Sequence, residues 1–227
     1  MKILIIEDEK TLTDSIVDYL YEEGHICEAV YTYIDAIDKI ESFDYDCIVV
    51  DINLPDGSGL DIIKHIKKSS KPVGIIIISA RNSLENRIEG LEIGADNYLT
   101  KPFHLAELNA HLKSINRRIN FSGNDHIIIN EIKLIPSDHA VFVNDKELKL
   151  TRKEFELLVF FISNKNKVIT KSSLAEHLWG DYMDTADSFD FIYTHIKNLR
   201  NKLLKEGCTD YIKTVYGLGY KFDLTQY

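Results

Sequence analysis

Two rhythms of apolar and polar residues divide the chain. In the first half, short runs rich in branched apolar residues at 2–6, 25–30, 46–50, 74–79 and 96–100 read as five strands. Residues 3–6 and 75–78 are apolar without interruption, the pattern of strands covered on both faces. Between the runs, apolar residues recur three and four apart, as at Leu12, Ile16, Tyr19 and Leu20, which predicts helices. This (βα)5 alternation predicts an α/β doubly wound fold, a parallel sheet with helices on both faces. In such sheets the ligand site lies beyond the carboxyl ends of the strands.

The last helix of this half, near 104–119, runs into Asn120-Phe121-Ser122-Gly123-Asn124-Asp125, a polar glycine-containing stretch that reads as a linker. Beyond it, short strands are expected at 127–129, 132–135, 140–143 and 147–150, with Asn144-Asp145 as a hairpin turn. Helical spacing follows near 152–164, 171–179 and 186–205, and a hairpin of 211–215 and 220–222 closes the chain around Gly217 and Gly219. Strands, three helices and a terminal hairpin describe a small α+β domain. The expected domains are 1–119 and 126–227, joined by 120–125.

Composition narrows the class. With 227 residues, 44% hydrophobic and 28% charged, the chain has the make-up of an ordinary soluble globular protein. No apolar run approaches the roughly 18 residues of a membrane span, and no basic and apolar leader precedes the first strand. A cytoplasmic protein without membrane contact is expected. Cys27, Cys47 and Cys208 lack metal-ligand spacing and read as reduced thiols. The net charge of −9 is uneven: residues 1–118 hold 13 Lys/Arg against 21 Asp/Glu, and residues 119–227 hold 14 against 15. Within the second half, residues 195–221 carry six basic and two acidic side chains, a local excess of positive charge that hints at a partner.

The predicted strand ends collect one set of polar residues. Glu7 and Asp8 end the first strand, Asp51 the third and Ser79 the fourth, and Lys101 follows the fifth. Crowded carboxylates repel each other unless a cation binds, and hard oxygen ligands with room for water suit Mg²⁺. A lysine and a hydroxyl beside them suit an anion. A carboxylate nucleophile, a divalent ion and a lysine are what formation of an aspartyl phosphate requires. Taken singly, Glu7 and Asp8 could instead cap a helix.

The segments Ile5-Ile6-Glu7-Asp8-Glu9, Val49-Val50-Asp51-Ile52-Asn53-Leu54-Pro55-Asp56-Gly57-Ser58-Gly59 and Gly94-Ala95-Asp96-Asn97-Tyr98-Leu99-Thr100-Lys101-Pro102-Phe103 resemble those of receiver domains. The resemblance implies that Asp51 is the phosphoacceptor and that Glu7, Asp8, Asp51 and the Asn53 carbonyl hold Mg²⁺. It also implies that Ser79 and Lys101 contact the phosphoryl group, that a cis bond precedes Pro102, and that Tyr98 is an aromatic switch turning inward as Ser79 moves. A phosphatase of the haloacid-dehalogenase type is the enzyme alternative, but it needs a second Asp where this chain has Asn53. The expected role is that of a phosphoacceptor with slow autodephosphorylation, not an enzyme.

In the second half, Phe189, Ile192, Ile196, Leu199 and Leu203 form an apolar stripe opposite Tyr193, Thr194, Lys197, Asn198, Arg200 and Asn201, with Lys202 nearby. Such a helix can bury one side and offer donors to a DNA groove, Asn suiting adenine and Arg or Lys suiting guanine or phosphate. Leu148-Lys149-Leu150-Thr151-Arg152-Lys153-Glu154-Phe155-Glu156-Leu157-Leu158, Leu178-Trp179-Gly180, His195-Ile196-Lys197-Asn198-Leu199-Arg200-Asn201-Lys202-Leu203 and Ile212-Lys213-Thr214-Val215-Tyr216-Gly217-Leu218-Gly219-Tyr220 resemble the winged-helix effector domain of OmpR/PhoB-type regulators.

By that resemblance 186–205 enters the major groove and the 211–222 hairpin is the wing that reaches the backbone or minor groove. Trp179 reads as a buttress. The implied partners are a sensor histidine kinase, promoter double-stranded DNA, a second copy of the chain, and RNA polymerase.

Three departures stand out. Tyr216 replaces a frequent wing arginine, and Asn198 replaces a frequently basic residue. Where the family's dimer face pairs an Asp with an Arg, this chain has Asn97 and His111. Arg87 with Glu107 and Asp96 with Arg118 remain on that face. Dimerisation is therefore expected to be weaker, or sensitive to pH through His111. The leading expectation is a phosphorylation-switched transcription regulator; the alternative is a DNA-binding regulator whose receiver serves only to dimerise.

Overall fold

The computed structural model describes residues 1–69, 72–121, 126–180 and 189–225. Contacts divide the chain into two compact units, Met1–Ile119 and Asn120–Tyr227.

In the first unit the uninterrupted apolar runs become the central strands. β1 (Lys2–Ile6), β2 (Ile26–Val30), β3 (Cys47–Asp51), β6 (Gly74–Ser79) and β7 (Asn97–Thr100) form one parallel sheet in the order β2-β1-β3-β6-β7. A two-residue-per-strand hairpin, β4 (Asn53–Leu54) and β5 (Gly57–Ser58), follows β3; the sequence pattern gave no sign of it. Because side chains alternate across a strand, Ile3, Ile5, Cys47, Val49, Ile76 and Ile78 face one side. There they meet Ile16 and Leu20 of α1 (Lys10–Glu22) and Leu108, Leu112 and Ile115 of α5 (Leu105–Phe121). Leu4, Ile6, Ile48, Val50, Ile75 and Ile77 face the other side, against Ala36 of α2 (Tyr33–Ser42) and Ile62, Ile63 and Ile66 of α3 (Gly59–Lys68). α4 (Leu84–Ile93) lies on this second side through Ile93.

The helices begin where short polar side chains satisfy their first N–H groups. Thr32 accepts from Asp35 N, Ser58 from Leu60 N and Ser83 from Asn86 N. α5 continues through Asn120 and Phe121, the first residues of the expected linker, while 122–125 lie outside the described residues.

In the second unit β8 (Ile127–Ile129), β9 (Ile132–Ile135), β10 (Ala140–Val143) and β11 (Lys146–Glu147) form an antiparallel sheet. The turn between β10 and β11 has Asn144 at φ 51 and Asp145 at φ 63, the left-handed pair of a two-residue hairpin. That turn pairs Val143 with Lys146, so the last strand starts one residue earlier than the pattern suggested and ends at Glu147.

Then come α6 (Arg152–Ser163), α7 (Lys171–Trp179) and α8 (Asp190–Lys205). Thr151 and Glu154 form a reciprocal capping box at the start of α6. α8 was expected from 186; residues 186–188 lie outside the described ones, and Phe189 is its non-helical N-cap. The closing hairpin, β13 (Ile212–Val215) and β14 (Gly219–Phe222), gains a third strand, β12 (Val168–Thr170), in the order β12-β14-β13. One core joins these pieces, with Phe161, Leu157, Leu174, Leu199 and Phe222 fully buried in it.

Candidate functional site

β1, β3, β6 and β7 deliver their polar residues to a single edge. Oxygens of Glu7, Asp8 and Asp51 all lie within 4.8 Å of one another. The Lys101 ammonium bridges two of them, 2.6 Å from Asp51 Oδ2 and 2.5 Å from Glu7 Oε2. The Asn53 backbone N–H donates to Asp51 Oδ1 at 3.0 Å, and the Glu9 N–H donates to Glu7 Oε1 at 3.1 Å. Glu7, Asp51 and Ser79 are buried, whereas Asp8 is exposed. The bond between Lys101 and Pro102 is cis.

The electrostatics are those of a site with too little positive charge. Burial pushes the Glu7 carboxyl above its ordinary range, against the opposing pull of Lys101. Burial works to lower Lys101, but its bonds to Asp51 and Glu7 outweigh that and hold the ammonium above its usual range. Glu7 Oε2 is buried, and the Lys101 ammonium is its charged partner. Three carboxylates and one lysine leave a net negative charge on hard oxygens, and a divalent cation of the Mg²⁺ kind fits that donor set.

The loop after β3 is held against Asp51 by backbone contact. A Cβ on Gly59 would sit 2.0 Å from the Asp51 carbonyl oxygen, so only glycine permits this approach. Asp56 in the same loop accepts from Tyr33 N at 2.6 Å and Ile34 N at 3.1 Å, and the Tyr33 bond foremost holds its carboxyl below the usual range. It thereby serves as a cap for α2 from a distant part of the chain.

Arg81, which the sequence reading passed over, joins the site at three points. Its guanidinium donates to Asn53 Oδ1 at 2.7 Å, its N–H to Ser79 Oγ at 3.2 Å, and its carbonyl accepts from the Tyr98 hydroxyl at 2.7 Å. Tyr98 is buried in the core between the sheet and α4, with its ring turned inward. No pattern in the sequence marks Arg81, because its partners are set by loop geometry.

Arg87 on α4 and Glu107 on α5 are exposed, and Asn97 at the start of β7 and His111 on α5 are half-buried. Arg118 pairs with Asp96 at 2.6 Å within the one chain, and the second Asp96 oxygen accepts from Ile75 N at 2.8 Å. Leu84, Ile88 and Leu91, spaced along one side of α4, are all exposed.

In the second unit α8 buries Ile192, Ile196, Leu199 and Leu203 and exposes Tyr193, Thr194, Lys197 and Asn198. The Thr194 hydroxyl donates to the Asp190 carbonyl. Two cations expected on the DNA-facing side are turned elsewhere. Arg200 grips Asp210 with two bonds of 2.8 and 2.5 Å, and Lys202 reaches Glu154 at 2.6 Å and the Lys149 carbonyl at 3.2 Å. Asp210 lies ten residues beyond Arg200 and Glu154 48 residues before Lys202, and neither partner was foreseen. Trp179 packs edge-on against Phe191 at 4.8 Å, near His195, with the Lys153 ammonium over its ring. It is a buttress under α8.

A buried acidic site with a bridging lysine on a (βα)5 sheet, joined to a winged helix, defines a response regulator with a DNA-binding output. Residues 3–113 match the family model of the response regulator receiver domain, and residues 145–222 match that of the transcriptional regulatory protein C terminus. The chain belongs to the OmpR/PhoB-type two-component response regulators. The phosphate regulon transcriptional regulatory protein PhoB of Escherichia coli (strain K12) is 33% identical over 97% of both chains. The response regulator protein PmrA of Pseudomonas aeruginosa is 33% identical over 98% of both. Among solved structures, a two-component response regulator from Clostridium difficile superposes with a TM-score of 0.51 at 35% identity, covering 53% of this chain and 98% of that one. These homologues are transcriptional regulators, in keeping with a role other than enzyme. Among the described residues no helix is long and apolar enough to cross a membrane.

Proposed function

We propose that Asp51 accepts a phosphoryl group from a sensor histidine kinase, and that this modification promotes dimerisation and binding to promoter DNA in the cytoplasm. An Asp51 carboxylate oxygen forms the new bond to phosphorus as the bond to the kinase's histidine nitrogen breaks, and that nitrogen leaves with the electron pair. Lys101 balances the charge on the phosphoryl oxygens, and the Ser79 hydroxyl donates a hydrogen bond to one of them. Glu7, Asp8, Asp51 and the Asn53 carbonyl would hold Mg²⁺, which when bound neutralises charge on the transferring oxygens. The observation that carries the reading is the buried Asp51–Lys101–Glu7 contact with its excess negative charge.

The output follows from two surfaces. The exposed Leu84, Ile88 and Leu91, beside Arg87 and near Glu107, Asn97 and His111, support a symmetric pairing of receivers. Asp96 and Arg118 border the same face and stabilise it from within the chain. Two linked winged helices then engage adjacent half-sites, Tyr193, Thr194, Lys197 and Asn198 facing the major groove. Contact with RNA polymerase on the bound promoter belongs to this reading.

The test is a mass measurement after incubation with Mg²⁺ and a small phosphodonor, followed by sizing and DNA titration. The parent chain gains one phosphoryl group, chelation of Mg²⁺ prevents it, and Asp51→Asn stays unlabelled. Equal labelling of Asp51→Asn would remove the site assignment. Labelling that leaves DNA affinity and oligomeric state unchanged would favour the phosphorylation-independent regulator.

A further inference from the structure

The buried stripe of α8, Ile192, Ile196, Leu199 and Leu203, sets its outer face by helical geometry: Thr194, Lys197, Asn198 and Asn201 stand opposite and are exposed. Arg200 and Lys202 fall on the two flanks, and each is met there by a carboxylate from elsewhere in the fold. The two carboxylates differ in what else they do. Glu154 closes the capping box of α6, a task it has with or without Lys202. Asp210, in the connection between α8 and β13, has no such task. Among the described residues it accepts from Arg200 Nε at 2.8 Å, from Arg200 Nη2 at 2.5 Å and from Lys213 at 3.4 Å, and from no backbone N–H.

The two-point grip fixes the guanidinium plane against the flank of the helix. Burial opposes ionisation of Asp210, but the bond from Arg200 outweighs it and holds the carboxyl below its usual range. The side chains of Arg200, Lys213 and Asp210 are 41%, 34% and 24% exposed, so the cluster is open to solvent. Two cations and one anion therefore present the charge of a single cation, at the edge of the face that the DNA-binding role assigns to α8.

We propose that Asp210 is a positioning residue that holds Arg200 and Lys213 back from the DNA backbone, weakening sequence-independent attraction so that selectivity rests on Thr194, Lys197, Asn198 and Asn201. This rests on the DNA-binding reading of the domain. Phosphate contacts strengthen binding to any sequence, whereas contacts to base edges discriminate. A free Arg200 would turn to a phosphate. A held one gains little by doing so, because it must leave a carboxylate that the same phosphate repels.

The test uses the full chain with Mg²⁺ and a small phosphodonor, a duplex that it retains from a random-sequence library, and an unrelated duplex of equal length. Asp210→Asn keeps the shape of the side chain and frees both cations. It is expected to bind the unrelated duplex more tightly, to narrow the preference for the retained one, and to steepen the slope of log affinity against log salt by about 1. Added charge alone would do part of this, so the deciding measurement is a double-mutant cycle. Arg200→Gln should leave the slope of the parent unchanged and lower that of Asp210→Asn by about 1. Equal effects of Arg200→Gln in the two backgrounds overturn the proposal, as does a preference for the retained duplex that Asp210→Asn leaves undiminished. Should Asp210→Asn not fold, Arg200→Gln in the parent decides: an unchanged slope supports the proposal, and one shallower by about 1 overturns it. If the parent chain retains no duplex at all, the DNA-binding reading fails first and the role of Asp210 with it.

Discussion

Replacing Lys101 by methionine keeps the volume of the side chain and removes the cation that Glu7 and Asp51 share. The two carboxylates left behind are nearly inaccessible, with side-chain exposures of 0% and 6%, while the lysine is 18% exposed. Breaking a buried pair by removing one partner costs roughly 3–5 kcal/mol, and the partial exposure of the lysine places this case near 3. The cost depends on pH. Glu7 is already held above its ordinary value by burial, and loss of the ammonium raises it further. A carboxyl raised in the folded state contributes stability below its unfolded value that is lost as pH rises through its folded value. The variant can therefore relieve the site by protonating Glu7 more readily as pH falls, so its cost is greater at high pH than at low.

The only tryptophan, Trp179, lies in the second unit, so its fluorescence does not report on the receiver. Amide exchange of the β1 and β3 peptides does. At pH 8 those amides should exchange about a hundredfold faster in the variant than in the parent, the equivalent of roughly 3 kcal/mol. At pH 5 the ratio should be markedly smaller, and added Mg²⁺ should narrow it at pH 8 by binding the folded state. A ratio that is the same at both pH values, or near one at pH 8, would refute the electrostatic account.

Two further outcomes follow from other parts of the chain. Glu131 accepts from Thr209 N at 2.5 Å and from the Tyr211 hydroxyl at 2.8 Å; burial opposes its ionisation, but these bonds prevail and depress its pKa from 4.5 to about 2. The stability this provides is present above pH 4.5 and is lost as pH falls towards 2, so Glu131→Gln should be less stable at pH 7 and match the parent near pH 2, read by Trp179 fluorescence. Gly59→Ala should destabilise the receiver by about 1–3 kcal/mol and slow labelling of Asp51, since its methyl collides with the Asp51 backbone; unchanged labelling would separate the loop from the site.

What could be read from the sequence and what could not divides along the range of the interactions. The central strands and the acidic edge were legible because alternation and strand ends are local: residues 3–6 announce a doubly covered strand, and Glu7 and Asp8 must then emerge at its carboxyl end. β12 was missed because Val168–Thr170 is three residues between two helices, and it is a strand only through β14, some fifty residues on. The ionic engagement of Arg200 and Lys202 was hidden for the same reason. A polar helix face looks identical in sequence whether it meets DNA or an aspartate brought near by the fold, and here Asp210 and Glu154 take those two side chains.

Arg81 holds a position of a different kind. Ser79 and Tyr98, the two residues expected to move together, both bond to it through its main chain, one at the amide and the other at the carbonyl. Neither hydroxyl can shift far without dragging the same short stretch of backbone, which makes that stretch a yoke between them. A yoke written in peptide groups survives almost any change of side chain. At position 81 alanine would leave it intact, whereas proline, which deletes the amide hydrogen, would cut the link to Ser79 while leaving the carbonyl for Tyr98.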